Sequence, residues 1–570
     1  MKKLKRILAI LMTMAMVLGM TVTASAETGK TPTAADTTTA SVTNVEAGAK
    51  VTAYRIIAPN YNNGFTGYSI VSDVKTYLNG VDMTANGENP AEPTQGPSAE
   101  QIQKIAKAIS NDSALAGKLD HVSLSTYTKT SDKTATEVEL GTYSADLGAG
   151  YWVVIIESTG EVIYNPMLLG VYYSTADGTL NNDMTGGIID AKTNWTLSTE
   201  PGYAKSSRPS IDKKIVDAAG NPVGSTTATG NTNNGVDVAA GDTVYFEVDA
   251  KIPAYSDSYE QVTYKITDTL SDGLTRTDAA PVVKVGDDTV TAGDNTFKVS
   301  YNGQTMTIEF ASAYALANAG KDVVVTYSAT LDADAGQNFD MNSNTAKLTY
   351  SNNPSDSSDV KEIEDKTYTY TFEIDGNLNG EDGENEEWVT KELIKVDADK
   401  FVEKTEDGVT TRTYTTPLAG AEFKLVNNDT KKEYKTTSTT DGKIHFSGLD
   451  AGTYTLTETK APAGYSVNTA EIPVVISATY NEDGTLASYE IKINNEVTST
   501  YTATYEGTTV TTKEVKDVTN GSNTYDFLNT KLANLPSTGG IGTYIFTIAG
   551  IIIMAAAAGF FFVSRRKAEK

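Results

Sequence analysis

Apolar and polar residues alternate in short runs along most of the chain, as they do in half-buried β-strands. Segments such as GAKVTAYRIIAP (residues 48–59) and GYWVVIIES (residues 150–158) carry this pattern. Helical periodicity is confined to places such as residues 98–111, where Ser98 is a predicted N-cap and Glu100 lies in the first turn. Turn residues recur at β-sandwich intervals. We therefore expect an all-β fold, built of tandem immunoglobulin-like sandwiches with that helix as an insertion.

The two ends of the chain depart from the alternating pattern. A basic MKKLKR, an apolar run and the small-residue sequence ASA predict a signal peptide over residues 1–26. An uncleaved membrane anchor is the alternative, which the short apolar run and the adjacent cleavage site disfavour. Residues 541–563 are 23 residues without a charge, followed by SRRKAEK. Their length predicts a transmembrane helix rather than a buried core helix, with the basic tail in the cytoplasm.

Breaks in the strand pattern divide the remainder into three predicted modules, which cover residues 27–205, 206–360 and 366–531. The formal net charge is -27, which argues against nucleic acid as a partner. The chain has no cysteine and only two histidines, so a disulfide framework, a zinc site and a histidine-based catalytic triad have little support. Another form of stabilisation is expected in an exported protein of this size.

A short motif precedes the predicted membrane helix and opens the C-terminal segment 535–570. It consists of Leu535, Pro536, Ser537, Thr538 and Gly539. The proline extends the preceding backbone, and Gly539 leaves the Thr538 carbonyl unhindered. Motif, apolar span and basic tail together resemble the LPxTG cell-wall sorting signal of Gram-positive surface proteins. The resemblance implies that a sortase cysteine attacks Thr538, releases Gly539 with the membrane helix, and passes the protein to an amine.

A wider resemblance covers nearly the whole mature chain, to the major, or backbone, pilins of sortase-assembled pili. NWTLSTEPGYAK (Asn194 to Lys205) resembles the pilin motif, although the usual Tyr-Pro-Lys ending is here Tyr203, Ala204 and Lys205. The resemblance implies that Lys205 is the acceptor amine for Thr538 of another copy. An ordinary exposed lysine in an interdomain loop is the alternative.

The third module resembles Cna-B-type domains. YTLTETKAPAGY (Tyr454 to Tyr465) is similar to the pilin E-box, and PLAGAEFKLVNN precedes it. The resemblance implies an intramolecular isopeptide bond between Lys395 and Asn529, with Glu458 as the catalytic acid. Burial would keep lysine and glutamate neutral, and apposition in the core would supply the effective concentration.

The second module resembles the Cna-A arrangement, with Lys213, Asp268 and Asn344 in the equivalent roles. Strand alternation lets only one of Lys213 and Lys214 enter the core, and the family spacing after a proline favours Lys213. Asn342 is the second choice for the amide. The first module has an arginine at the corresponding early-strand position and only a partial E-box, around Glu157, so we predict no isopeptide bond there.

An acidic loop over residues 375–386 fits calcium-loop spacing, although a solvated turn is favoured and no cofactor or metal is predicted. The sequence therefore predicts a non-enzymatic pilus subunit on a Gram-positive cell surface, held transiently in the plasma membrane before sorting. Its expected partners are a class C sortase, other copies of itself, minor pilins, and peptidoglycan at the pilus base. A monomeric wall-anchored adhesin is the main alternative, and a hydrolase in the first module is a more distant one.

Overall fold

The computed structural model describes residues 30–81, 96–130, 139–158, 162–175, 192, 194–255, 259, 261–353, 356–374, 393–507, 509–516, 525–532 and 541–567. The predicted signal peptide, the LPSTG motif and the acidic loop lie outside these residues. The protein is mostly β, which confirms the predicted class. Two compact units are present. The first extends to Pro222 and includes Thr243–Thr330 and Ser343–Thr367, and the second holds Val223–Asp242, Leu331–Asn342 and the chain from Tyr368 onward.

The first part of the first unit is a sandwich of two sheets around one core. Its strands are β1 Thr37–Glu46, β2 Lys50–Tyr61, β3 Phe65–Ile70, β4 His121–Ser123, β5 Thr126–Lys129, β6 Leu140–Gly148, β7 Gly150–Glu157, β8 Ile163–Tyr164, β9 Met167–Thr175, β10 Trp195–Thr199, β11 Gly202–Tyr203 and β12 Ser206–Ser207. One sheet has the order β11-β1-β6-β5, and the other has the order β10-β9-β7-β2-β3. Val42 on β1 and Val51 on β2 are buried in the shared core, as the alternation of apolar and polar residues along each strand predicts.

The predicted helical insertion forms helix α1, Ala99–Asn111, which confirms the expected element. The Ser98 hydroxyl accepts the Gln101 backbone N–H at 3.2 Å, and the Gln101 side chain accepts the Ser98 N–H at 2.9 Å. This capping box satisfies two otherwise unpaired groups at the helix start. A short helix α2, Ser113–Lys118, follows, and a 3-10 turn spans Ser72–Tyr77. The buried face of α1 joins the sandwich core through Ile102, Ile105 and Ile109.

The middle of the chain contributes a second pair of sheets to the first unit. The strands in this stretch are β13 Ile211–Val216, β14 Ser225–Thr226, β15 Asn231–Thr232, β16 Gly235–Asp237, β17 Thr243–Lys251, β18 Tyr264–Leu270, β19 Leu274–Arg276, β20 Val282–Val285, β21 Asp288–Val290, β22 Phe297–Asn302, β23 Thr305–Phe310, β24 Asp322–Leu331, β25 Asn342–Asn353 and β26 Asp356–Tyr370, with helix α3 Ser312–Ala317. One sheet has the order β13-β17-β24-β20-β21, whereas β18 pairs with β23 and β25 in the other. Strands β14 to β16 belong to the second unit.

The second unit is built on a seven-stranded antiparallel sheet. Its further strands are β27 Phe372–Ile374, β28 Leu393–Asp397, β29 Phe401–Glu406, β30 Val409–Tyr414, β31 Glu422–Asn427, β32 Glu433–Thr437, β33 Phe446–Leu449, β34 Gly452–Lys460, β35 Ile472–Tyr480, β36 Leu486–Ile493, β37 Glu496–Glu506, β38 Thr509–Lys516 and β39 Tyr525–Asn529. The large sheet has the order β32-β31-β34-β35-β36-β37-β38. Strand β28 pairs in parallel with β39, which places Lys395 opposite Phe527. An early strand is thereby held against the last strand of the module.

The chain ends in helix α4, Ile541–Lys567. Within it, Ile545–Arg565 has a mean hydropathy of 2.4, and none of its apolar window is buried. By length and composition this helix can cross a membrane, in agreement with the predicted anchor.

Candidate isopeptide sites and linkage lysine

Three strands of the first unit bring Lys213, Asp268 and Asn344 together. Lys213 lies on β13, Asp268 on β18 and Asn344 on β25, so the cluster joins the two sheets. Each residue is at most 1% exposed. Lys214, one position on, instead lies near the surface and pairs with Asp249 at 2.5 Å. Alternation along β13 therefore sends a single lysine into the core.

The Lys213 amine contacts two side chains in this core. Its Nζ donates to Asp268 Oδ2 at 2.6 Å and to the Tyr327 hydroxyl at 2.5 Å. Asn344 Nδ2 donates to the same hydroxyl oxygen at 2.8 Å. The Tyr327 hydroxyl in turn donates to Asp268 Oδ2. Amine, carboxylate and amide therefore meet around one phenol.

The charges in this cluster are set by burial and by one arginine. Burial lowers the pKa of Lys213, although the neighbouring Asp268 opposes the shift. Arg276 Nη2 lies 3.2 Å from Asp268 Oδ1, on the side of the carboxylate away from the lysine contact. Burial also raises the pKa of Tyr327 well above its usual value. The site therefore disfavours the ammonium form of Lys213 relative to a lysine in water, and its phenol stays protonated.

Asn342, the second choice for the amide, has a different environment. It is buried, but its Nδ2 donates to the backbone carbonyls of Gly336 at 2.8 Å and Thr369 at 3.1 Å. Its Oδ1 accepts the Gly336 N–H at 3.0 Å. These bonds satisfy the side chain within the second unit, so the geometry favours Asn344.

The second unit holds a similar cluster of Lys395, Glu458 and Asn529, each at most 5% exposed. Lys395 Nζ donates to the Phe527 carbonyl at 2.7 Å and lies 3.9 Å from Glu458 Oε1. Asn529 Nδ2 lies 3.0 Å from both Glu458 oxygens. Here the carboxyl group contacts the amide directly and stands between lysine and asparagine.

The pKa of Lys395 is lowered to about 8, mainly by burial, with Glu458 opposing the shift. Glu458 Oε2 also accepts the backbone N–H of Asn468 at 2.7 Å. This bond orients the carboxyl group toward the asparagine. A free amine is therefore accessible at moderately alkaline pH, next to an acid held in place.

Each of the two clusters contains one amide oxygen without a hydrogen-bond partner. Among the described residues, Asn344 Oδ1 and Asn529 Oδ1 are buried without a hydrogen-bond partner. A buried acceptor left unpaired costs about 1–3 kcal/mol. Both amides are thus hydrogen-bonded through Nδ2, whereas the unpaired Oδ1 of each destabilises the folded, unreacted state.

Lys205 has a very different setting, because its side chain is exposed. The backbone around it is fixed on both sides: Ala204 N–H donates to Thr43 O at 3.0 Å, and the Lys205 carbonyl accepts from Asn165 N–H at 3.0 Å. Asn44 Nδ2 adds a bond to the Ala204 carbonyl at 2.8 Å. An exposed amine is therefore presented from a segment whose backbone is hydrogen-bonded on both sides. Its predicted partner Thr538, with the rest of the LPSTG motif, lies outside the described residues.

The positions expected to form no bond in the first module have other contacts. The Arg55 guanidinium stacks over the Trp152 ring at 4.5 Å and pairs with Asp120 at 3.3 Å. Glu157 is exposed and pairs with Lys50 at 2.8 Å. These contacts agree with a structural role, and the absence of a bond stays a prediction.

Sequence reasoning missed Tyr327, Arg276 and Asn468. Tyr327 follows Val323 and Val325 on the inward face of β24, so alternation could have placed its hydroxyl in the core. Arg276 and Asn468 lie at a strand end and in a loop, where no periodic signal exists.

Among the described residues, no cluster of three or more His, Cys, Asp or Glu side chains could hold a metal ion.

Three sequence families match parts of the chain. A Gram-positive pilin backbone subunit 2, Cna-B-like domain matches residues 240–354, a prealbumin-like fold domain matches 409–492, and an LPXTG cell-wall anchor motif matches 528–570. The chain is 27% identical to the trypsin-resistant surface T6 protein of Streptococcus pyogenes serotype M6, over 94% of this chain and 96% of that protein. The solved structure of the T6 backbone pilin, described as modular and three-domain, has a TM-score of 0.54 and 20% identity, covering 88% of this chain and all of that one.

The β-sandwich fold and the anchor define a surface protein of the Gram-positive cell wall. Within that class, the matched domains and the full-length relative confirm the predicted Gram-positive backbone pilin, a structural subunit of a pilus. An LPXTG anchor on a backbone pilin implies sortase processing and self-polymerisation.

Proposed function

We propose that a class C sortase polymerises this chain head to tail by joining Thr538 of one copy to Lys205 of the next. A sortase cysteine attacks the Thr538 carbonyl, the Thr538–Gly539 bond breaks, and a thioester forms. The Lys205 amine then attacks this thioester, which forms an amide and returns the thiol. Minor pilins and peptidoglycan would use the same chemistry at the ends of the fibre, and the chain itself would have no enzymatic activity on other molecules.

Exposure of Lys205 supports this linkage. A bulky enzyme-bound thioester can be reached only by an accessible amine, and Lys205 is exposed on a segment whose backbone is hydrogen-bonded on both sides. Among the described residues, no carboxylate lies within 4.0 Å of its Nζ to compete for the amine. Holding the backbone still lowers the entropy lost when the enzyme docks.

We further propose that each cluster forms an autocatalytic isopeptide bond, Lys213 to Asn344 and Lys395 to Asn529. The observation that carries this proposal is the burial of two separate lysine, carboxylate and asparagine sets, each bridging distant strands. Each bond would close a loop of more than a hundred residues, worth about 4–5 kcal/mol by analogy with disulfides. In a fibre under tension it would also carry force past the hydrogen-bonded strands.

Mass spectrometry tests the two bonds directly. Each condensation releases one ammonia, so the mature chain should be lighter than its sequence mass by about 17 Da per bond, or about 34 Da in all. Peptide mapping should recover branched peptides that join Lys213 to Asn344 and Lys395 to Asn529. A mature chain at its full sequence mass would rule out both bonds.

A variant that cannot form the second bond should show pH-dependent stability. In Asn529→Ala, Lys395 remains a free amine whose folded pKa, about 8, lies below its unfolded value. The unfolded state then binds more protons between about pH 8 and pH 10.5, so the free energy of unfolding should rise with pH in this window, by up to about 3 kcal/mol. Denaturant titrations at several pH values measure this change. The double variant Asn529→Ala, Lys395→Met should lack the rise, and an equal rise in it would contradict the assignment.

A further inference from the structure

The Tyr327 hydroxyl occupies a position in the first-unit cluster that has no counterpart among the described residues of the second-unit cluster. It contacts the Lys213 amine, the Asp268 carboxylate and the Asn344 amide nitrogen. Asp268 has no hydrogen bond to Asn344 among the described contacts, and the phenol fills the space between them. A proton can therefore pass from the carboxylate to the amide nitrogen through Tyr327, which contacts both groups.

We propose that Tyr327 is a catalytic residue of the Lys213–Asn344 condensation, in which it relays a proton from Asp268 to the departing nitrogen. This inference rests on the proposed isopeptide chemistry. It goes beyond that chemistry because the group that protonates the Asn344 amide nitrogen is the Tyr327 phenol rather than the Asp268 carboxyl group.

The condensation conserves atoms, protons and electron pairs. Asp268 Oδ2 takes one proton from the Lys213 ammonium, and the freed amine attacks Asn344 Cγ, so that a C–N bond forms and the carbonyl electrons move to Oδ1. Tyr327 gives its hydroxyl proton to Nδ2 and recovers one from Asp268. The Cγ–Nδ2 bond then breaks with its electron pair on nitrogen, and the carbonyl re-forms. The new amide nitrogen gives up its second proton to the departing ammonia, which leaves as ammonium.

Arg276 explains why the carboxylate needs an intermediary. Its Nη2 holds Asp268 Oδ1 at 3.2 Å, so only Oδ2 faces the reacting groups. Oδ2 is already shared by the Lys213 amine and the Tyr327 hydroxyl. Oδ2 contacts the Lys213 amine directly, so it is placed to accept the lysine proton. The arginine also leaves the phenol as the donor closest to Asn344.

The second-unit cluster shows the contrasting arrangement. Both oxygens of Glu458 lie 3.0 Å from Asn529 Nδ2, so this acid can act on the amide without help. No arginine is within salt-bridge distance of Glu458 among the described residues. The two bonds of one chain therefore provide an internal comparison, since only one of them should depend on a tyrosine.

The test is the rate of bond formation in full-length chain made by cell-free translation with detergent and sampled over time. Tyr327→Phe should slow formation of the Lys213–Asn344 branched peptide by about 100-fold or more, the usual contribution of general acid–base catalysis. The Lys395–Asn529 peptide should form at the wild-type rate in the same molecules. Tyr264→Phe is the matched control, because Tyr264 is a fully buried tyrosine of the same unit whose hydroxyl has no partner among the described residues.

The outcomes separate the relay from the proposed function. An unchanged Lys213–Asn344 rate in Tyr327→Phe would overturn the relay while leaving the bond itself intact. Failure of wild-type chain to form the bond would overturn the proposed chemistry, and the relay with it. Equal slowing in Tyr264→Phe would show that core packing sets the rate, which also overturns the relay.

A second substitution covers the case in which Tyr327→Phe fails to fold, as judged by loss of protease resistance. Replacing Tyr327 by 3-fluorotyrosine keeps the ring and its hydrogen bonds but makes the phenol a stronger acid. A relay whose limiting step is proton donation to Nδ2 predicts faster formation of the Lys213–Asn344 bond and no change at Lys395–Asn529. An unchanged rate at both sites would contradict the proposal.

Discussion

Cells that produce the Lys205→Ala variant should lose the SDS-resistant, high-mass ladder that a covalent pilus gives on electrophoresis. The reason is chemical, because without the ε-amine the thioester at Thr538 has no acceptor on the next copy. Single copies should still reach the wall, since peptidoglycan supplies its own amine. Immunoblots of wall extracts measure both species, and we expect the ladder to fall below detection while the monomer band persists.

Lys284→Ala is the matched control, because Lys284 is also exposed, lies on β20 of the same unit, and is not proposed to react. This variant should give a wild-type ladder. A normal ladder from Lys205→Ala would show that another lysine accepts Thr538. Wild-type cells that carry only single copies would instead favour the monomeric adhesin.

The fold could be predicted largely because its signals are local. Strand alternation gives the β class, a Ser cap with a short apolar stripe gives helix α1, and uninterrupted apolar length gives helix α4. The division into compact units was less accessible. In the sequence, residues 223–242 fall between β13 and β17 of the first unit, yet they belong to the second unit. The reason is that β16 pairs with the end of β26 rather than with its neighbours in sequence. No local pattern encodes such a long-range pairing.

The site residues were predicted unevenly for a similar reason. Lys213, Asp268 and Asn344 are predicted from a family resemblance. Strand alternation shows only that one of Lys213 and Lys214 enters the core, and the family spacing after a proline favours Lys213. Tyr327 belongs to the same cluster but reaches it from a different strand, so only the packing of the two sheets shows that its hydroxyl meets the amine. The sequence can indicate which face a side chain occupies, whereas its partners across the core depend on sheet stacking.

The second large effect concerns Glu458. Glu458→Gln should prevent the Lys395–Asn529 bond, because a glutamine can neither accept the lysine proton nor donate one to the leaving nitrogen. Its amide would also direct N–H donors at the Asn529 Nδ2 group, which now donates to the carboxylate. Peptide mapping should find Lys395 and Asn529 unlinked. The free energy of unfolding should fall by about 4–5 kcal/mol from loss of the covalent loop.

Glu471→Gln is the control for this change, since Glu471 is an exposed carboxylate of the same unit and its substitution should leave both bonds intact. Asn529→Ala separates the loss of the bond from the loss of the acid: it removes the bond but keeps Glu458, so most of the destabilisation should persist. The Lys213–Asn344 bond should form normally in all three variants, because it has its own carboxylate. A Lys395–Asn529 branched peptide at wild-type yield in Glu458→Gln would show that Glu458 is not the catalytic acid.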